Sequence, residues 1–498
     1  MKVQQSVSER KQSSGSMFDL LSSIDKPRTN LKGAVANIRK LRMSFLWFSV
    51  VTSLSHSLSY VVTAFATPLL GGELGLIVCG VNWCACAATS LTVAIISVRR
   101  LGYKAAVGLS MWGYCLQVIS LYSAVVYPEH SYHAAIAGAC ASGITSALSS
   151  TAQGVCIDLT SIKIADCMLQ DLSRVEYLVS DEDIAEIRAH LAQRWTLISH
   201  ISSAAVFLSL SLVPIYFPLF KVDSVISWLC LLGVATALLG CTFDTLSDEG
   251  LIISSQEVLE SVVSVPRHFL NNSRAVLIAP FLFGFGVLTA LFAFYVNGQV
   301  SADPALGVAS LGLLEALSFI IAAPTVFLFS STFRHFKQSQ SSQYILLQLA
   351  SVCFSLCGLA LFVRPTGQIL SWKNLVILRA LFGLSRGIFD GPSRYWYYGM
   401  ISGSEFSTAL CSQMLLTCFS GGICFLCLRV ASAREVAGAL AVNGIVALCF
   451  NWLAVNSSPT SSPVSWSDLV MLLSGTGITH GYSNVNSLYG SNEEASPS

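Results

Sequence analysis

The feature that most constrains this chain is a rhythm of long apolar stretches, repeated about twelve times. They lie near 44–66, 75–97, 103–126, 132–157, 195–219, 224–243, 274–298, 305–330, 342–363, 373–392, 405–429 and 434–455, each bounded by charged or turn residues. A hydrocarbon core about 30 Å thick takes roughly 20 apolar residues in a helix, so each stretch fits one crossing. Alternating strands of about ten residues, the pattern of a membrane barrel, are absent. Of the 498 residues 53% are hydrophobic and 11% charged, against about 25% charged in a soluble domain. Such a chain has too few polar groups to cover its own surface, and its natural solvent is the lipid bilayer. A net charge of +1 leaves no electrostatic footprint for nucleic acid.

Basic residues orient the crossings. With the N-terminus in the cytosol, the inner side collects the nine charges of the N-terminal segment (Lys2 through Arg42). It also collects Arg99, Arg100, Lys104, Lys163, Arg174, Arg188, Arg194, Arg267, Arg274, Arg334, Lys337 and Arg394. The other side receives Lys221, Arg364, Lys373, Arg429 and Arg434. Both termini are therefore expected in the cytosol; plasma membrane and endomembrane are not distinguished. No apolar run with a small-residue cleavage site precedes the first crossing, so that helix is expected to direct membrane insertion itself.

The expected organisation is a cytosolic segment 1–43, a six-helix bundle 44–243 and a polar linker 244–273. A second six-helix bundle 274–455 and a Ser/Asn/Gly-rich tail 456–498 follow. An acidic stretch, 163–194, interrupts the first bundle and reads as an amphipathic cytosolic helix pair. Two six-helix halves joined by a cytosolic linker are the layout of the major facilitator fold. The fold class is thus all-α, with about twelve transmembrane helices in two bundles.

Charged groups inside such a bundle are the candidates for function, because lipid tolerates them poorly. In the tenth stretch Arg379, Gly383, Arg386, Gly387 and Asp390 share one helical stripe. Arg386 and Asp390 are i, i+4 neighbours that can pair. Either they lock the bundle or they serve a solute or proton path. Glu315 lies mid-stretch in GLLEALSFI with no charged neighbour in sequence. It reads as a cavity-facing proton or cation site, or as a helix-to-helix hydrogen bond. Gln153 lies near the inner end of the fourth stretch, and Asp158 beyond it reads as an interfacial cap. His56 and His200 read as hydrogen-bonded core residues. The turn Arg99-Arg100-Leu101-Gly102-Tyr103-Lys104 either gates the cytoplasmic face or simply sets topology. Cys424 and Cys427 form C-x-x-C within an apolar ICFLCL run, where small buried hydrophobes are the expectation rather than a redox or metal site. In the tail, Tyr482 and Val485 fit Tyr-x-x-Φ, a candidate sorting signal for an extended segment. Asn271-Asn272-Ser273 fits an N-glycosylation pattern that a cytosolic linker would leave unused. No enzyme motif occurs, and no cofactor or metal is expected.

Three segments together carry a family likeness: VRRLGYKAAVGLSMWGYCLQVISLYSA, SGITSALSSTAQGV, and RALFGLSRGIFDGPSRYWYYGMISGSEFSTAL. Their order and spacing resemble the Unc-93-like family of the major facilitator superfamily. The matching positions are Arg99, Leu101, Gly102 and Lys104; Thr151, Ala152, Gln153 and Gly154; and Gly383, Arg386, Gly387, Phe389 and Asp390. Ser150 stands where that family often has tryptophan, and Asp390 where it more often has glutamate. The resemblance implies a transporter-like protein, or an escort or regulator of another membrane protein. The leading expectation is alternating-access movement of a small solute, proton or cation. The alternative is a non-transporting subunit for a channel or receptor.

Overall fold

The computed structural model describes residues 31–172, 181–216, 222–242, 273–335, 340–363, 371–393 and 406–456. Twelve helical rods fill them. They are α1 (Leu31–Leu70), α2 (Gly72–Thr92, continued by Ala94–Leu101), α3 (Tyr103–Val126), α4 (Ser131–Leu172), α5 (Asp181–Tyr216) and α6 (Val222–Leu239). After the linker come α7 (Ser273–Leu291), α8 (Gly307–His335), α9 (Gln340–Val363), α10 (Trp372–Ile388), α11 (Phe406–Cys427) and α12 (Ala433–Asn456). A π turn, Phe292–Val296, carries α7 on into Asn297–Ala302, and a second, Phe389–Ser393, extends α10. Tight reversals at Gly71 (φ +84°) and Gly102 (φ +78°) join α1 to α2 and α2 to α3, a backbone conformation costly for other residues.

Nine of the rods are long and apolar enough to cross a membrane, counted over the described residues. The other three are α4, α6 and α10. α4 is rich in Ser, Thr and Gly, and α10 carries Arg379 and Arg386. Both turn that polarity inward. The described apolar part of α6, Ile226–Thr242, is merely short.

Helix neighbours repeat with a shift of six. α1 lies against α5, α2 and α3 against α4, and α3 against α6; correspondingly α7 lies against α11, α8 and α9 against α10, and α9 against α12. The halves meet along two seams, α2 with α11 and α5 with α8, which the same shift interchanges. That is the pattern of two like bundles related by a pseudo-two-fold axis. The outer rods present apolar stripes for lipid: Leu109, Trp112, Leu116 and Ile119 on α3, and Val352, Leu356, Leu359 and Phe362 on α9, are exposed at helical spacing.

Serine and threonine inside the bundle satisfy their hydroxyls locally. Ser49, Thr52 and Ser57 on α1 donate to the carbonyls four residues back, each at 2.7 Å. Asp158 is no cap. α4 runs on to Leu172, and the Asp158 carboxylate pairs with Arg188 Nε at 2.5 Å, tying the extension of α4 to that of α5. All sixteen thiols are free; Cys424 is buried, with its Sγ 3.9 Å from Val287 O, while Cys427 is exposed.

Candidate central cavity

A cavity of about 120 Å³ lies between the halves, far above the roughly 10–15 Å³ that one water needs. Its walls come from α1, α2, α4 and α5 on one side and α7, α8, α10 and α11 on the other; α3, α6, α9 and α12 contribute nothing. The two walls differ in chemistry. The first half supplies most of the hydroxyls and amides and both imidazoles, His56, Ser59, Tyr60, Thr63, Asn82, Ser146, Ser149, Ser150, Gln153, Thr196, Ser199 and His200, beside the rings of Trp83, Trp195 and Phe207. The second supplies rings, Phe285, Phe292, Phe319, Phe382 and Phe389, together with Glu315, Arg386 and Asp390.

Glu315 lines this cavity but is not a lone carboxylate. Arg379 Nη1 of α10 lies 2.7 Å from its Oε1, and Asn297 Nδ2 donates to the same oxygen at 2.9 Å. Arg379 Nη2 donates in turn to Asn297 Oδ1. The three polar groups form a closed triad across α7, α8 and α10. Arg379 is wholly buried, with the Phe292 ring 5.1 Å from its guanidinium carbon. It does not line the cavity; it stands behind Glu315 as the counter-ion. Asn297 sits directly after the π turn of α7, where the widened turn rotates it inward. Its amide also reaches Ala64 O on α1 at 3.3 Å, so the triad touches the other half.

The expected Arg386–Asp390 pair does not form. The helix widens into its π turn at Phe389, between the two residues, and this breaks the i, i+4 geometry. Arg386 instead lies over three aromatic faces: its guanidinium carbon is 4.2 Å from the Phe319 centroid, 4.5 Å from Phe382 and 5.3 Å from Tyr60. Asp390 turns toward α5, where His200 Nε2 is 3.8 Å from its Oδ2 and Thr196 donates to its backbone carbonyl at 3.2 Å. The stripe of Arg379, Gly383, Arg386 and Gly387 does face protein. Gly383 and Gly387 lie directly against the backbone of α8 at Ser318 and Ala322.

Gln153 is buried in the α4 wall. Both histidines are wall residues rather than simple core; His56 Nδ1 is 2.9 Å from Tyr114 OH on α3. Arg99 and Arg100 end the short helix after α2, Gly102 makes the reversal, and Lys104 opens α3; none of the four lines the cavity. Tyr482, Val485 and Asn271 lie outside the described residues. Among the described residues no group of three or more His, Cys, Asp or Glu side chains is arranged to hold a metal.

No protein-family pattern matches the chain, and no curated protein matches it in sequence. Solved structures do. The chain aligns with the nucleoside transporter NupG over 83% of its own length and all of that chain, with a TM-score of 0.54 and 11% identity. It aligns with the xylose transporter XylE from E. coli, in a partially occluded inward-open conformation, over 84% of its length and all of that chain, with a TM-score of 0.56 and 12% identity. Both are major-facilitator transporters with twelve transmembrane helices. This chain has the major facilitator fold. It is an integral, multi-pass membrane protein, with eight rods around its cavity.

Proposed function

We propose that the protein is a transporter-like member of the major facilitator superfamily that moves a small solute by alternating access. The observation that carries this reading is the cavity itself: it is lined by many polar side chains, lies between the halves, and is walled by four helices from each. In an escort or channel subunit apolar side chains could plug such a space, and here they do not fill it. The likeness to NupG and XylE, a nucleoside and a xylose transporter by name, supports a small-solute cargo. We place the chain with the Unc-93-like proteins on the motifs around Arg99, Gln153 and Arg386. One departure from that pattern supports transport. Ser150, at the frequent tryptophan position, is a cavity wall residue, and a tryptophan there would fill the space. In this reading both termini are cytosolic, residues 244–273 link the bundles, and the basic turn at Arg99–Lys104 faces the cytosol. The test is uptake into proteoliposomes of purified protein against a solute panel, beside affinity purification of intact complexes. Saturable uptake above protein-free vesicles is expected. A stable stoichiometric membrane partner without any flux would favour the regulatory reading instead.

A further inference from the structure

The cavity and the triad behind it hold two carboxylates and two guanidiniums, and their geometry separates them. Glu315 is matched by Arg379, with Asn297 closing the triad. Asp390 turns to the α5 wall and His200. Arg386 remains. It is 5% exposed, it lines the cavity, and its Nη1 is buried with no hydrogen-bond partner. A buried donor left unmade is costly, and more so on a charged group. The aromatic faces of Phe319, Phe382 and Tyr60 stabilise the cation through their quadrupoles. They do not supply the in-plane oxygen acceptors that a guanidinium fork matches. What Arg386 Nη1 lacks is an oxygen acceptor, although the carboxylates of Glu315 and Asp390 line the same cavity.

The ring wall adds a second requirement. Phe292 stacks on Phe382 at 4.5 Å, Phe207 on Phe319 at 5.6 Å, and Phe285 on Phe389 at 3.8 Å. Phe319 and Phe382, one ring from each of two pairs, lie over the guanidinium, and the other rings line the same cavity as flat apolar faces. A ligand meeting both features carries its charge at one end and a planar apolar body at the other.

We infer that the cavity binds a small aryl carboxylate, with Arg386 as the bidentate partner of the carboxylate and the phenylalanine wall holding the ring. The inference deepens the transporter reading and rests on it for passage, though not for binding. A carboxylate suits the geometry because both of its oxygens can take parallel N–H donors from one guanidinium.

The test uses the purified full chain in detergent. Benzoate, phenylacetate and 3-phenylpropanoate are each titrated beside the corresponding primary amide by calorimetry, with thermal melting in parallel. At least one carboxylate should bind and raise the melting temperature, and its amide should bind at least tenfold more weakly. Arg386→Gln should abolish the discrimination, and Arg386→Lys should keep part of it as a point charge. If Arg386→Gln fails to fold, the carboxylate-to-amide ratio of the wild type decides alone. Equal binding of acid and amide, undiminished carboxylate binding in a folded Arg386→Gln, or no binding by any of the three acids would overturn the inference. Counterflow of labelled benzoate, xylose and a nucleoside in proteoliposomes separates the two ideas. Carboxylate binding without flux of any solute sinks the transport reading and leaves the site standing. Flux of a neutral solute with no carboxylate binding does the reverse.

Discussion

At the scale of single residues, the molecule turns on how it keeps ions in an apolar interior. Glu315 and Arg379 are each nearly or fully buried and touch at 2.7 Å. Breaking such a pair by removing one partner costs about 3–5 kcal/mol, because the other charge is left without compensation. Glu315→Gln and Arg379→Gln should therefore each lower the melting temperature and the folded yield sharply. The double variant should recover part of the loss, since two amides near Asn297 leave no naked charge. A double variant worse than both singles would exclude a pairwise role. The sequence displayed Glu315, Arg379, Arg386 and Asp390 as the ions that matter, but not who meets whom. Residues 315 and 379 are 64 apart, and nothing local links them. An argument by elimination was open: an intramembrane carboxylate needs a cation, and the second half offers Arg379 and Arg386 on its tenth stretch. Asn297 had no such signal. A single amide after FAFYV becomes significant only once the π turn brings it inward.

At the scale of elements, glycine sets how closely helices approach. A methyl group on Gly387 would stand 2.7 Å from both Ala322 O and Thr325 Cβ of α8, and one on Gly383 would meet Ser318 O and, at 3.0 Å, Ile321 Cβ. The shifted counterpart is Gly143 on α4, closed in by Asn82 O and Ala85 of α2. Small residues at such crossings let backbones pack where no hydrophobic force drives helices together. Gly387→Ala should therefore destabilise by about 1–3 kcal/mol through overpacking. Gly108→Ala, where the added carbon meets nothing within 4 Å, should be neutral or slightly stabilising. Thermal melting of the two variants checks this, and equal melting points would show that the α8–α10 contact yields freely. Periodicity made the rods legible, because about twenty apolar residues have few other uses. It could not show the π turns at Phe292–Val296 and Phe389–Ser393. One extra residue in a turn leaves the hydropathy pattern intact while rotating everything after it. The i, i+4 rule consequently misled at Arg386 and Asp390.

At the scale of the whole molecule, polar ties between the halves among the described residues include Asn297 Nδ2 donating to Ala64 O, Thr196 Oγ1 donating to Asp390 O, and contacts along the α2–α11 side. Among the described residues Cys411 Sγ of α11 donates to Ser90 O of α2 at 3.2 Å and lies 3.5 Å from Thr151 Oγ1 of the neighbouring α4, toward one end of the α2–α11 seam. At the other end Arg429 Nη2, just beyond α11, lies 2.6 Å from Glu73 Oε1 in the first turn of α2. Contacts at both ends of the seam describe a cavity closed along this side. Two bundles that rock about such a seam must release one end at a time, and the Glu73–Arg429 pair suits a releasable latch. It is largely exposed, and exposed pairs contribute only about 0–1 kcal/mol and weaken in salt. Such a bond biases an opening without locking it. Glu73→Gln and Arg429→Gln should each raise backbone amide exchange at the start of α2 and the end of α11 by up to about fivefold. The charge-swapped double variant, Glu73→Arg with Arg429→Glu, should restore protection. Raising the ionic strength should bring the wild type toward the single variants, while exchange near Ser90 and Cys411 stays unchanged. Exchange indifferent to both substitutions and to salt would mean that the pair holds nothing shut.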